Sequence, residues 1–255
     1  MDHASQIRLV PGAKHAVLFL HGIVGTPRHF SHILNMVDCV PDSWSYYNLL
    51  LDGHGGTVSD FSRSSMKKWK VQVWSVFHEL LTTHDSVVIV GHSMGTLFAL
   101  QLAVEFPNKI PLLFLIGCPI RPWVGAAGMN CSLRAIFGLC RKDRPAESAI
   151  LEAGGTVLTK KVWKYIPWIK NMISLLLEAS HTERLLPKLQ TKTLAFQSRR
   201  DEMVSNSSGK VLKRYSVVEV TTFEDSTHFY YSQGDKERIY VAFSDGCRWV
   251  SNRDL

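Results

Sequence analysis

The sequence predicts an α/β fold, a mostly parallel sheet covered by helices on both faces. Three observations carry this. The runs His15 to Leu20, Asp85 to Val90 and Ile110 to Ile116 have the length and the apolar, β-branched character of buried strands. Stretches with helical spacing of apolar residues lie between such runs, and that alternation demands right-handed crossovers. The pentapeptide Gly91-His92-Ser93-Met94-Gly95 sits between a strand-like and a helix-like segment. Gly-x-Ser-x-Gly in that setting reads as a sharp strand-to-helix turn that lifts a serine above the sheet edge.

Taken in order, His15 to Leu20 is the first strand, ending in His21-Gly22-Ile23-Val24-Gly25-Thr26-Pro27. Arg28 to Val37 reads as helix. Trp44 to Leu51 reads as strand, closed by the turn-rich Asp52-Gly53-His54-Gly55-Gly56. From Met66 to Thr83, Trp69, Val73, Val76, Phe77, Leu80 and Leu81 fall on one helical face. The turn strand and its helix, Thr96 to Val104, follow, and then the strand Ile110 to Ile116. Thr191 to Gln197 is a shorter strand, Ser205 to Tyr215 a helix, Val217 to Phe223 a strand and Lys236 to Trp249 a final helix. Between Pro119 and Pro187 the alternation stops. That stretch has helical patches at Leu133 to Leu139 and Ile169 to Leu177 but no convincing strand, so it is expected to be a helical insert. The expected organisation is a core in two parts, 1–118 and 191–255, interrupted by a helical cap over 119–190.

Composition sets the outer limits. The chain has 255 residues, 45% of them apolar, enough for one large domain with an insert and a sizeable core. No run approaches the roughly 18 to 20 apolar residues of a membrane span. The first residues lack the basic-then-apolar order of a signal peptide. Five cysteines with no C-x-x-C pair suit a reduced, cytoplasmic compartment. Net charge is +7, and its excess is concentrated: residues 119–190 carry 11 Lys/Arg against 5 Asp/Glu. A solvated basic face explains this, and so would attraction to anionic substrates or weak contact with a lipid or membrane surface. Nucleic acid is not expected, because no binding motif accompanies the charge. None of the 11 histidines forms H-x-x-x-H or H-E-x-x-H, so neither a metal nor a cofactor is expected.

A serine hydroxyl is a poor nucleophile at pH 7 and needs a base, itself oriented by a third group. Around a Gly-x-Ser-x-Gly turn the chain order is Ser, acid, His. His228 lies in the loop after the last expected strand, whereas His181 lies inside the insert. Asp201 comes directly after the strand 191–197, with Glu202 next to it. Asp225 stands close to His228 in sequence and is the weaker choice. Ser93, Asp201 and His228 are therefore the expected catalytic triad. A tetrahedral intermediate also needs N–H donors for its oxyanion. The Met94 amide, at a helix start, is one; the Ile23 amide, in the glycine-rich loop after the first strand, is the other. His21 is expected to fix that loop, and His92 to be packed or hydrogen-bonded structurally.

Leu20 to Pro27, Asp52 to Gly55, Val90 to Thr96, Ser198 to Val204 and Asp225 to His228 together resemble the α/β-hydrolase superfamily, of the carboxylesterase and monoacylglycerol-lipase type. These motifs span both halves of the expected core. The resemblance implies an α/β-hydrolase fold, the triad and oxyanion hole on the positions just named, and a helical cap above them. The short N-terminal segment leaves little room for the first antiparallel strands, so six or seven strands are expected rather than eight.

The insert is rich in aromatics: Trp123, Phe137, Trp163, Tyr165 and Trp168. These either pack the cap on the core or line an apolar pocket, for which Trp123, Ile120, Met129, Phe137, Trp163 and Trp168 are the candidates. The expected activity is hydrolysis of carboxylic esters with apolar, short- to medium-chain acyl groups, monoacylglycerols among them. The same triad serves C–C bond hydrolases and thioesterases, and a silent ligand-binding protein using the cap cavity is the non-enzymatic alternative. Epoxide and haloalkane hydrolysis are disfavoured, because those relatives need a carboxylate where Ser93 stands.

Overall fold

A computed structural model describes residues 3–122, 130, 133–141 and 143–254. Its centre is a seven-stranded sheet built from β1 (Gln6–Arg8), β2 (His15–Leu20), β3 (Ser45–Leu49), β4 (Ser86–His92), β5 (Leu112–Ile116), β6 (Lys192–Ser198) and β7 (Val218–Phe223). The strand order is β1-β3-β2-β4-β5-β6-β7. Only β1 runs antiparallel to its neighbour, β3. The mostly parallel sheet and the upper of the two expected strand counts are therefore borne out. The three-residue β1 is too short to leave a periodic signal in the sequence.

The central strands are apolar throughout because both of their faces are covered. Every residue of β2 and of β5 is buried. On one face lie α2 (Met66–Leu81) and α3 (Met94–Glu105), with the short α1 (Val58–Arg63) between β3 and α2 in the chain. Trp69, Val73, Val76, Phe77 and Leu80 form the buried face of α2, as their spacing predicts. The opposite sheet face is covered by the last helix through Ile239, Phe243, Cys247 and Val250, and by Phe30, Ile33 and Leu34.

The expected helix over Arg28 to Val37 breaks into a π-helical turn, His29–Ile33, and a 3-10 turn, Val37–Cys39. Asn35 lies between them at φ 47°, a left-handed conformation that ends a helix and that asparagine tolerates. Between β5 and β6 the described residues contain no strand. They include α4 (Pro145–Ala153) and α5 (Trp168–Leu185). Single β-bridges tie this region to the core, Thr57 with Val157 and Pro122 with Val204.

α5 packs in the same layer as α2 and α3. Gln101 Nε2 of α3 donates to Glu178 Oε1 (2.7 Å) and Thr182 Oγ1 (2.8 Å) of α5. The Trp168 indole N–H donates to the Val58 carbonyl at 3.1 Å. The remaining helices are α6 (Ser207–Leu212) and α7 (Gln233–Ser251). No helix among the described residues is long and apolar enough to cross a membrane.

From β2 the chain moves outward to β3, then returns to the other side of β2 as β4. The crevice at such a reversal, outside the carboxyl ends of the strands, is where α/β sheets bind ligands. The loop after β2 and the turn after β4 meet there.

Candidate active site

Ser93 caps α3 at φ 50° and ψ −122°, a conformation that non-glycine residues rarely adopt. Its neighbours make the turn possible. A Cβ on Gly91 would lie 2.7 Å from the Thr96 nitrogen, and one on Gly95 would run into the Leu20 carbonyl. The Thr96 N–H and hydroxyl both donate to the Ser93 carbonyl, at 2.9 and 2.6 Å, and the Ser93 N–H donates to Ile116 O at 2.9 Å. The strained residue is thus held from both sides. A second strained residue stands across the crevice: Val24, at φ 61°, in the loop after β2. The N–H groups of Ile23 and Met94 have no hydrogen-bond acceptor among the described residues.

The loop after β7 brings His228 to this edge. Its Nδ1 lies 2.8 Å from Asp201 Oδ2, and each side chain is 2% exposed. The Asp201 Oδ1 accepts the N–H groups of Met203 (2.8 Å) and Val204 (2.7 Å), which fixes the carboxylate. A carboxylate oxygen can only accept, so His228 Nδ1 carries its proton towards Asp201 and Nε2 is left as the basic nitrogen. Burial lowers the pKa of His228, but the charge and hydrogen bond of Asp201 and the charge of Glu202 more than offset it, leaving it above the ordinary value.

The rest of the base's surroundings had little or no sequence signal. Glu202 Oε2 accepts the His228 N–H at 3.1 Å. The His228 carbonyl accepts from His92 Nε2 (3.0 Å) and the Tyr231 hydroxyl (3.1 Å). Gly117, at φ 61°, passes so near that a Cβ there would lie 3.2 Å from His228 Cε1. Asp225 is elsewhere, in a surface ion pair with Arg200 and 71% exposed. His181 is exposed on α5.

Neutral histidines support the crevice. His21 donates from Nδ1 to Gly22 O (2.8 Å) and accepts the Leu51 N–H at Nε2 (3.1 Å), joining the loop after β2 to that after β3. Burial outweighs the Gly22 hydrogen bond and pushes its pKa down to about 4. His29 stacks on His92 with ring centroids 3.6 Å apart, and burial holds both well below the ordinary value, as it does His54. The sequence singles out His21, His54 and His92 by their loops, but nothing marks His29, which meets His92 only through the fold. No group of three or more potential metal ligands forms among the described residues.

Of the six expected pocket residues the structure describes four, in differing surroundings. Ile120 is buried in the core face that also holds Met94 and Leu97. Trp168 packs on Phe61, ring centroids 4.5 Å apart. Phe137 is 40% and Trp163 61% exposed. Trp123 and Met129 lie outside the described residues. An open groove of about 560 Å³ lies between α7 and β6–β7, lined by Lys192, Phe196, Glu219, Arg238 and Val241 among others. It includes none of Ser93, Asp201 and His228, so it is not a pocket for their chemistry.

With this geometry in place, a family model described as the alpha/beta hydrolase family matches residues 17–238. The chain belongs to that family. No curated protein sequence matches it. Solved structures do. One of the metagenome-derived lipolytic enzymes LipS and LipT superposes with a TM-score of 0.70 at 19% identity, covering 96% of this chain and 97% of that one. The monoacylglycerol lipase of Paleococcus ferrophilus gives 0.67 at 13% identity, covering 97% and 98%. The meta-cleavage product hydrolase CumD of Pseudomonas fluorescens gives 0.65 at 14% identity, covering 96% and 94%. Identities this low establish a common fold and leave the substrate to the site.

Proposed function

We propose that the protein is a serine hydrolase of carboxylic esters with apolar, short- to medium-chain acyl groups, monoacylglycerols included. The observation that carries this reading is the buried 2.8 Å His228–Asp201 pair on the same sheet edge as the strained Ser93 turn. A lipolytic enzyme and a monoacylglycerol lipase among the structural neighbours are consistent with it.

In this reading the Ser93 Oγ attacks the ester carbonyl carbon while His228 Nε2 takes the hydroxyl proton. Asp201 holds the imidazole and stabilises the imidazolium that forms. The carbonyl oxygen gains negative charge as the new C–O bond forms, and the N–H groups of Ile23 and Met94 receive it. Met94 begins α3, where unpaired amides and the helix dipole favour an anion. Collapse of the intermediate breaks the ester C–O bond, and His228 returns the proton to the departing alcohol. Water, deprotonated by the same nitrogen, then releases the acid from Ser93. The depressed pKa values of His21, His29 and His92 keep these rings neutral, so no neighbouring imidazolium competes with the charge that develops on His228.

The test is hydrolysis of p-nitrophenyl esters and monoacylglycerols of increasing chain length, with Ser93→Ala as control. Each buried CH₂ of the acyl group should add up to about 0.8 kcal/mol until the pocket is full. Turnover of these esters that Ser93→Ala abolishes supports the reading. Turnover confined to thioesters, or to a C–C bond beside a ketone, replaces the substrate class while leaving the nucleophile in place.

A further inference from the structure

Residues 153–177 contain Lys160, Lys161, Lys164 and Lys170 and no aspartate or glutamate. All four lysines are exposed. Over the same stretch large apolar side chains also face solvent. Trp163 is 61% exposed, Ile166 64%, Ile169 57%, Ile173 52% and Leu177 66%. Ile166, Ile169, Ile173 and Leu177 recur at intervals of three and four, which makes them one stripe along α5 and the turn before it. The stripe is not the face that folds the helix into the protein. Asn171, Ala179 and Thr182 are the buried residues of α5, and Trp168, Met172 and Leu175 join the core between the sheet and this helical layer. α5 therefore has two apolar faces, and the described residues cover only one. Soluble monomers rarely leave a contiguous apolar surface of more than a few hundred Å² uncovered.

A second copy and a lipid surface are the two coverings this surface could take, and its charge separates them. A symmetric contact through this face would set the same patch of both copies together. It would bring the lysines of both copies together with no carboxylate in 153–177 to neutralise them. A bilayer with anionic headgroups supplies an apolar interior for the stripe and negative charge for the lysines beside it. Lysine stems and the amphipathic indole of Trp163 suit that boundary.

We propose that the outer face of α5, with the turn at 160–166, docks on an anionic lipid surface. The orientation has a consequence. α5 leads by a short connection into β6, so it descends from the carboxyl edge of the sheet, where Ser93 stands, to the amino edge. Its Trp163–Ile169 end is tied to the site side of the fold by Trp168 on Val58 O and by the Val157 N–H on Gly56 O at 2.8 Å. The docked face therefore includes the end of α5 that lies beside the site. The proposal goes beyond the ester reading and stands whatever bond Ser93 cleaves.

Co-sedimentation of the full chain with phosphatidylcholine vesicles, with and without phosphatidylserine, tests it. The chain should partition onto the phosphatidylserine vesicles and weakly onto the neutral ones. Each lysine near the surface is worth roughly a fivefold change in partition, so Lys160→Gln, Lys161→Gln and Lys164→Gln combined should lose about a hundredfold. Ile169→Ser, Ile173→Ser and Leu177→Ser combined should abolish binding while keeping the wild-type circular dichroism, because these side chains are exposed. Ser93→Ala should bind like the wild type, which keeps this result separate from the ester reading. Absent partition, or equal partition of wild type and both triple variants, overturns the proposal. A concentration-dependent dimer that the isoleucine and leucine substitutions dissolve assigns the face to a second copy and overturns it too.

Discussion

His92 donates from Nε2 to the main-chain carbonyl of His228, 3.0 Å away, so the residue before the serine holds the loop that carries the histidine. A carbonyl only accepts, which fixes the proton of His92 on Nε2. Burial, with the neighbouring imidazoles, keeps that ring neutral. His92→Phe keeps an aromatic ring for the His29 stack and removes the donor. It should lower kcat by about tenfold to a hundredfold through misplacement of His228, with a smaller change in KM. Steady-state kinetics of the folded variant check this; an unchanged kcat would show that the bond does not position the base.

Asp201 and Glu202 are adjacent, yet their expected effects differ. Asp201→Asn should cost roughly 10⁴-fold in kcat, because an amide cannot stabilise the imidazolium and favours the wrong tautomer. Glu202→Gln can still accept the His228 N–H and should stay within about tenfold of wild type. It also removes a charge that raises the pKa of His228, so the acid limb of its pH profile should move to lower pH. The reverse ranking of the two variants in kcat would exchange their roles.

kcat/KM should rise with pH through one ionisation above the ordinary histidine value of about 6.5, as His228 becomes neutral. Stability should move differently. The raised pKa of His228 contributes stability that is present below about pH 6.5 and lost as pH rises through its folded value. His21, His29, His54 and His92 act in the opposite sense. Unfolding lets them take up protons, so the stability they hold above about pH 6.5 drains away as pH falls towards their folded values. His21 alone, with a folded value of about 4, amounts to roughly 3 kcal/mol by pH 4. Thermal melts should show the midpoint dropping from near pH 6.5 downward, with a shallower slope in His21→Gln. A midpoint that holds down to about pH 4.5 would contradict the buried neutral histidines.

Gly117→Ala places a methyl group 3.2 Å from His228 Cε1 on a backbone at φ 61°. Left-handed strain of about 1 to 2 kcal/mol should appear in the melting temperature. A further loss of kcat beyond the stability effect should follow from the displaced imidazole. Gly138→Ala, also at positive φ (68°) but with open space around it, is the control for strain alone.

The elements legible in the sequence are those whose own residues carry the signal. The run His15 to Leu20 coincides with β2, and the apolar period of α2 gives its first residue, Met66, and its buried face. Ser93, Asp201 and His228 follow strands, and their order along the chain places them on one edge without any distance being known. The features that escaped depend on distant partners. β1 exists because it pairs with β3; the helix at Arg28 fails at one left-handed asparagine; His29 matters only because His92 lies under it. The helical pattern of Ile169 to Leu177 is legible, but the placement of that helix is not. Nothing in the local pattern of Ile169 to Leu177 says which apolar face meets α3 and which meets solvent.

The most direct test of the central claim is reaction with a fluorophosphonate followed by mass spectrometry of the labelled peptide. An activated Ser93 should displace fluoride and form one phosphonylated adduct per chain, on Ser93 alone. The rate should rise with pH as the ester kinetics do, fall sharply in Asp201→Asn and His228→Ala, and vanish in Ser93→Ala. An unlabelled wild-type chain, or an adduct that survives Ser93→Ala, would contradict the assignment of Ser93, His228 and Asp201.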